Sequence, residues 1–201
     1  MTQVREATLE DVDVVSNTVA AAFASDVGWG YMFGPGNVEA MRSFARALLI
    51  PRIRRGTAWV TDDCAAVAMW DRCATDLHRD EDHEARWASC RAEVGEEAWQ
   101  RIAVYDDAVG SAGPARPYWY LGVLATHPDA QGRGLATAVL QPGFEAAAAD
   151  GWDCWLETSA PANKTFYAGR GFTEGREFEV PGGPTTWWLR RPSGPRPSPA
   201  G

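Results

Sequence analysis

The sequence predicts an α/β domain built on one central sheet, and three observations point there. Short apolar or alternating segments of strand length recur from the first residues to about residue 190. Segments with apolar residues at three- and four-residue steps stand between them. The 201 residues contain no internal repeat, and a chain of this length fits one domain, expected over 1–191.

Residues 3–8 alternate weakly and make a first strand. Thr8-Leu9-Glu10-Asp11 then opens a helix, with Thr8 as cap and two acids at the positive helix end. Val12, Val15, Val19 and Phe23 form its core stripe, and it ends near Ser25. Residues 25–37 read as loop because Gly28, Gly30, Gly34, Pro35, Gly36 and Asn37 crowd together. That loop also carries Val27, Trp29, Tyr31, Met32 and Phe33, which need a surface to cover. Two outcomes fit: a lid on a pocket, or cover folded back on the core.

A second helix is expected from about Val38 to Ile50, stopped by Pro51. Thr57–Thr61 and Ala65–Trp70 read as strands joined at Asp62-Asp63, and 71–83 as polar connection. Residues 84–108 read as helix, with Trp87, Cys90, Val94, Ala98, Ile102 and Tyr105 in step. Residues 110–117 read as a linker. Tyr118–Leu124 is nearly all apolar, a buried strand. A loop at Thr126–Arg133 leads to a helix from Gly134 to about Asp150, in which Pro142 is expected to make a kink. A strand at Asp153–Ser159, a short helix at about Ala162–Gly169 and strands near Phe172–Val180 and Thr186–Arg190 complete the domain. Residues 192–201 hold four prolines and no large apolar residue, the composition of a disordered tail.

Composition excludes several function classes. Lys+Arg is 19 against Asp+Glu 27, a net charge of −8, the wrong sign for a nucleic-acid partner. The mean field favours small cations instead. No apolar run approaches the length of a membrane span. The first residues lack a basic stretch followed by an apolar one, so a cytoplasmic location is expected. Cys64, Cys73, Cys90 and Cys154 form no Cys-x-x-Cys pair and are expected to be free thiols. Cys73, His78, His83 and Cys90 match no standard zinc spacing and surround an acidic run, so no metal is expected.

The informative stretch runs from Leu121 to Ala136. A strand delivers the chain to a glycine-bearing turn, and the turn opens a helix whose first amides have no partners within it. Gly132 and Gly134 let a large anion approach the backbone, and the helix dipole favours its charge. The physical reading is a pyrophosphate cradle. An ordinary strand–turn–helix with helpful glycines fits the turn equally well, since Gly-x-Gly alone lacks the rest of a dinucleotide or P-loop fingerprint.

Gln131-Gly-Arg-Gly134-Leu-Ala136 resembles the Gln/Arg-x-x-Gly-x-Gly/Ala signature of the GNAT family of acyl-CoA N-acyltransferases. Leu124-Ala125-Thr126-His127-Pro128 looks like that family's end-of-strand pattern. Leu156-Glu157-Thr158, Asn163, Phe166-Tyr167 and Gly171-Phe172 look like its next strand, helix and closing turn. The likeness spans about residues 3–190. It implies a mixed, mostly antiparallel central sheet flanked by helices. Pro142–Ala147, Leu156–Asn163, Val180–Trp187 and Ala20–Ala24 narrow the resemblance to antibiotic-modifying members. Residues 26–56 and 72–116 match poorly.

The resemblance implies acetyl transfer from acetyl-CoA, as co-substrate, to a primary amine of a small cationic molecule, such as the antibiotic puromycin. Leu124, Ala125 and Thr126 would offer backbone groups to the pantetheine arm. Gln131, Gly132, Arg133, Gly134, Leu135 and Ala136 would hold the pyrophosphate, and Asn163 would bond near the pantetheine. Glu157 is the candidate base, lying on the strand beside the cofactor strand, and Tyr167 the candidate acid for the leaving thiolate. Trp29, Tyr31 and Phe33 are the candidate acceptor-site aromatics, with Trp87 and Trp99 also in reach, since aromatic walls suit a cation. Asp26, Asp76, Asp80, Glu81, Asp82 and Glu84 could bind a more highly charged acceptor but read first as a solvated face. An aminoglycoside-like acceptor, a protein or peptide amine, and a non-catalytic acyl-CoA-binding module remain as alternatives. The chain is expected to be a monomer or a homodimer, with strands 172–190 and their Trp187-Trp188 pair offering an edge.

Overall fold

The computed structural model describes residues 3–74 and 80–194. Its sheet has seven strands in the order β1-β2-β3-β4-β5-β7-β6. These are Val4–Glu6, Ala58–Thr61, Ala66–Cys73, Tyr118–Thr126 and Cys154–Thr158 for β1 to β5, then Thr173–Glu179 (β6) and Thr185–Arg191 (β7). Neighbours are antiparallel except β4 and β5, which run parallel and pair at only Trp119↔Cys154 and Tyr120↔Trp155. The expected mixed, mostly antiparallel sheet is what the chain forms.

Helices α1 (Val12–Phe23), α2 (Val27–Phe33), α3 (Val38–Arg54), α4 (His83–Val94) and α5 (Glu96–Ala112) cover one face. Helices α6 (Leu135–Asp150) and α7 (Pro161–Ala168) cover the other. Each face has its own apolar core. Strand β4 serves both because it carries a bulge: Met69 pairs with Val123 and Trp70 with Leu121, leaving Gly122 over. Before the bulge, Trp119 and Leu121 face α6; beyond it, Val123 and Ala125 face the α1–α5 core. Glycine fits there because a Cβ at position 122 would lie 2.8 Å from the Arg52 guanidinium, which would have to shift.

Several expectations are corrected. Residues 27–33 are a helix, not part of a loop. Asp26 caps it, accepting from the Trp29 amide at 2.9 Å, and Trp29, Met32 and Phe33 are buried at helical spacing. That burial outweighs the low helix propensity of Gly28 and Gly30. Helix α3 continues past Pro51 to Arg54. The buried Arg52 side chain, paired with Asp71 and bonded to the Leu48 carbonyl at 2.7 Å, holds that last turn. The long helix expected over 84–108 is two helices broken at Gly95, whose φ is +86°, and the second consumes the start of the expected linker. Strand β7, with Trp187 and Trp188, is internal; the edge strand at that end of the sheet is β6.

All four cysteines are free and buried. Burial pushes the Cys64, Cys73 and Cys90 thiols up to about 11 and Cys154 to about 12. Among the described residues no group of His, Cys, Asp or Glu is placed to hold a metal, and no helix is long and apolar enough to cross a membrane. His78, Asp76 and residues 195–201 of the expected tail lie outside the described residues.

One contact locks α6 onto the sheet. A Cβ at Gly143 would lie 2.3 Å from the Trp70 ring, and Trp70 is fully buried. Gly143→Ala is expected to destabilise the fold by about 1–3 kcal/mol through overpacking, read as a lower urea midpoint. Gly30→Ala, where a Cβ meets nothing within 4 Å, is the control and should gain about 0.5–1 kcal/mol.

Candidate functional site

Because β4 and β5 pair at only two positions, their C-terminal ends stand apart. A cleft of about 710 Å³ opens there. The end of β4 lines one wall with Leu124 and Thr126, and the following turn adds Gln131, Gly132 and Gly134. The start of α6 adds Leu135, Ala136 and Thr137. Helix α7 supplies Asn163, Phe166 and Tyr167, with Ala160 and Arg170 flanking it, and the end of α1 with the start of α2 closes the cleft through Ala22, Phe23, Ser25, Asp26 and Val27.

The turn presents backbone donors. Gly132 and Gly134 have φ of +75° and +78°, the left-handed region open to glycine. Gly134 provides no side-chain cap to α6. Among the described residues the amides of 132–137 donate to no protein acceptor. Free amides at a helix start carry its positive dipole end, an arrangement that suits an anion. Beyond Tyr120, the side of β4 facing β5 also has no strand partner. An extended chain of amides could pair with it as a strand would.

Of the sequence-derived candidates, Leu124, Thr126, Gln131, Gly132, Gly134, Leu135, Ala136, Asn163 and Tyr167 converge on this cleft. Asn163 Nδ2 donates to Thr158 Oγ1 at 3.2 Å. Tyr167 is 9% exposed, packs against Phe166 and Phe172, and its hydroxyl has no hydrogen-bond partner among the described residues. Burial, then the charges of Glu157 and Asp26, raise its pKa, so it holds its proton at neutral pH.

Other candidates fall elsewhere. Ala125 is buried in the α1–α5 core, and Arg133 is exposed and outside the cleft lining. Glu157 points to the α5 face of β5, opposite Leu156 and Thr158. Its Oε1 accepts from the Tyr120 hydroxyl at 2.9 Å, while Oε2 is buried without a partner. Burial pushes its carboxyl up to about 7, against the Tyr120 hydrogen bond.

The acceptor-site aromatics need correction. Trp29 and Phe33 are 7% and 3% exposed and pack into Phe23 and Phe44, with centroids 4.4 to 5.6 Å apart. Once residues 27–33 coil into a helix, these rings face the core and offer no wall to a ligand. Tyr31 is half-buried and donates to the Pro181 carbonyl at 3.0 Å, tying α2 to the β6–β7 turn. Trp87 and Trp99 line a separate hollow with His83 and Asp106. Asp80 and Asp82 are engaged by Arg54 and Arg86, and because Asp80 and Arg86 are largely buried this is a packed ion-pair network rather than the expected solvated face.

Asp26 lines the cleft although the sequence reads it first as part of a solvated face, and Arg170 lines it although the sequence did not single it out. An Asp just before Trp29-x-x-Met32-Phe33 is an N-cap signal, masked by the surrounding glycines. For Arg170 no local pattern exists; it reaches Thr137 on α6 at 3.2 Å through Nε.

Residues 81–174 match the family model described as an acetyltransferase (GNAT) domain. The chain also superposes on a histone acetyltransferase HPA2-related protein from Corynebacterium glutamicum ATCC 13032, with TM-score 0.68, 21% identity, and 99% and 100% of the two chains covered. The chain has the GNAT acetyltransferase fold. Arylalkylamine N-acetyltransferase 2 from Aedes aegypti is similar at TM-score 0.68 and 13% identity, covering 96% of this chain and 99% of that one. So is Drosophila melanogaster polyamine N-acetyltransferase, at TM-score 0.65 and 13% identity over 96% and 100%. Domain match and fold together support an acyltransferase enzyme.

In such an enzyme a carboxylate poised near neutrality accepts a proton only when ionised. With Glu157 as that group, kcat/KM falls as pH drops through about 7. Glu157→Gln is expected to lose this limb, as a pH–rate profile would reveal.

Proposed function

We infer that the chain is an acetyl-CoA-dependent N-acetyltransferase acting on a primary amine of a small cationic molecule. The unpaired amide run at 132–137, opening on the gap between β4 and β5, is the observation that carries this. Gln131, Gly132, Gly134, Leu135 and Ala136 would hold the diphosphate of coenzyme A. The free side of β4 at Leu124–Thr126 would hold the pantetheine arm, with Asn163 across the cleft. Arg133 joins that set through its backbone.

Acetyl-CoA would supply the acetyl thioester. The rest is done by this chain's own groups. A backbone amide of the open β4 edge polarises the carbonyl as charge develops on oxygen. Glu157, on the α5 face, takes a proton from the incoming ammonium at Oε2, directly or through water. Tyr167, on the α7 face, keeps a proton on its hydroxyl and delivers it to the departing sulfur. Holding base and acid on opposite faces of one strand gap supplies part of the rate by orientation alone.

A narrower likeness to puromycin N-acetyltransferase, carried by Pro142–Ala147, Leu156–Asn163 and Val180–Trp187, favours an antibiotic acceptor. The small amines named for two of the fold neighbours agree with a low-molecular-weight acceptor. The absence of Trp29 and Phe33 from the cleft wall shifts recognition from aromatic stacking toward charge.

A thiol-release assay against puromycin, an aminoglycoside, simple alkylamines and peptides tests the function. Release with small amines supports it. Release with peptides alone, or with nothing above background, overturns it. Tyr167→Phe is expected to lower kcat by on the order of 10²-fold while leaving acetyl-CoA binding unchanged. Undiminished turnover in that variant would remove the acid role.

A further inference from the structure

Asp26 is the one carboxylate among the residues lining the cleft. It follows α1 directly, its amide donating to the Phe23 carbonyl at 3.0 Å. Oδ1 is held by the Trp29 amide at 2.9 Å, which fixes the side chain, and no side chain among the described residues bonds to either carboxylate oxygen. The segment is pressed close to the end of β5: a Cβ at Gly28 would lie 3.2 Å from Ser159 Oγ, 3.3 Å from the Tyr105 hydroxyl and 3.4 Å from Asp26 Oδ1. Tyr105, Ser159 and Thr186 form a buried hydroxyl chain at that point, with steps of 3.2 and 2.8 Å. Asp26 thus shares the cleft with Tyr167, and its charge helps to raise the pKa of that hydroxyl.

Most arginines of this chain are spent in ion pairs with carboxylates, yet no cationic side chain among the described residues acts on Asp26. Burial raises its carboxyl pKa, opposed only by the amides of Trp29 and Gly28. An oriented, half-buried carboxylate without a counter-ion, facing a cleft, is a vacant seat for a cation.

We propose that Asp26 recognises the charged end of the acceptor, its Oδ2 receiving a primary ammonium beside Tyr167, so that the enzyme selects cationic amines over neutral molecules of the same shape. This rests on the amine-acetyltransferase function inferred above and assigns its acceptor specificity to α2. The ammonium docks on Asp26 and gives its proton to the base only afterwards, so Asp26 governs amine affinity more than turnover.

Asp26→Asn is the informative variant, because Asn caps a helix as well as Asp and removes only the charge. Its thermal midpoint should match that of the wild type. Calorimetry with coenzyme A present, using puromycin, putrescine and 2-phenylethylamine as probes and 2-phenylethanol as the neutral isostere, reads the effect. At least one amine should bind the wild type and weaken tenfold or more in Asp26→Asn, while phenylethanol binds both proteins alike. In turnover the variant should raise KM for the amine with a smaller change in kcat and none in KM for acetyl-CoA. Equal weakening of amine and alcohol, unchanged amine binding, or no amine binding to the wild type overturns the assignment. Charge-dependent amine binding without thiol release would overturn the acetyltransferase function and leave Asp26 as a cation site. Thiol release indifferent to Asp26→Asn would do the reverse.

Discussion

The separation of β4 from β5 is the constraint on which the site depends. Two parallel strands that stayed paired to their ends would close the sheet and bury every amide between them. Here the pairing stops after Tyr120↔Trp155, while the other edge of β5 stays paired with β7 along its whole length. The bulge at Gly122 turns β4 at that point, and the Arg52 guanidinium, neutralised by Asp71, occupies the room a side chain would need. The gap leaves one edge of β4 unpaired and open to the cleft on the α7 side, and keeps a carboxyl with a raised pKa on the α5 side.

The amide run at the start of α6 is useful only if that helix is held at the right height. Gly143 meeting Trp70, and Leu135, Val139 and Leu140 buried against β3 and β4, set it there. Packing on the sheet and presentation of donors are therefore one arrangement. The residues that fix the helix are remote from the anion they would serve.

Most of the element order and the strand–turn–helix at 121–136 were legible because their signals are local. Glycines after an apolar strand, then a helical stripe, give the Leu121–Ala136 unit without reference to the rest of the chain. Long-range effects were not legible. Pro51 stops a helix in isolation, but the Arg52–Asp71 pair links that turn to a strand nearly twenty residues later. Gly28 and Gly30 look like loop until Trp29 and Phe33 find Phe44. The bulge left only an unremarked Gly122 in the sequence. Glu157 could be assigned to β5, but its face, its Tyr120 partner and its raised pKa follow from register. Asp26, dismissed with the other acids as surface charge, is distinguished only by what packs beside it.

The buried thiols have a practical consequence for watching this chemistry. Each of the four cysteines is hidden from solvent, and its sulfur stays protonated well above neutrality. Disulfide-forming dyes need an accessible thiolate, so the folded polypeptide stays silent toward them. Colour in such a mixture then reports coenzyme alone, continuously and without a quench, and its late appearance in a blank marks the protein coming apart.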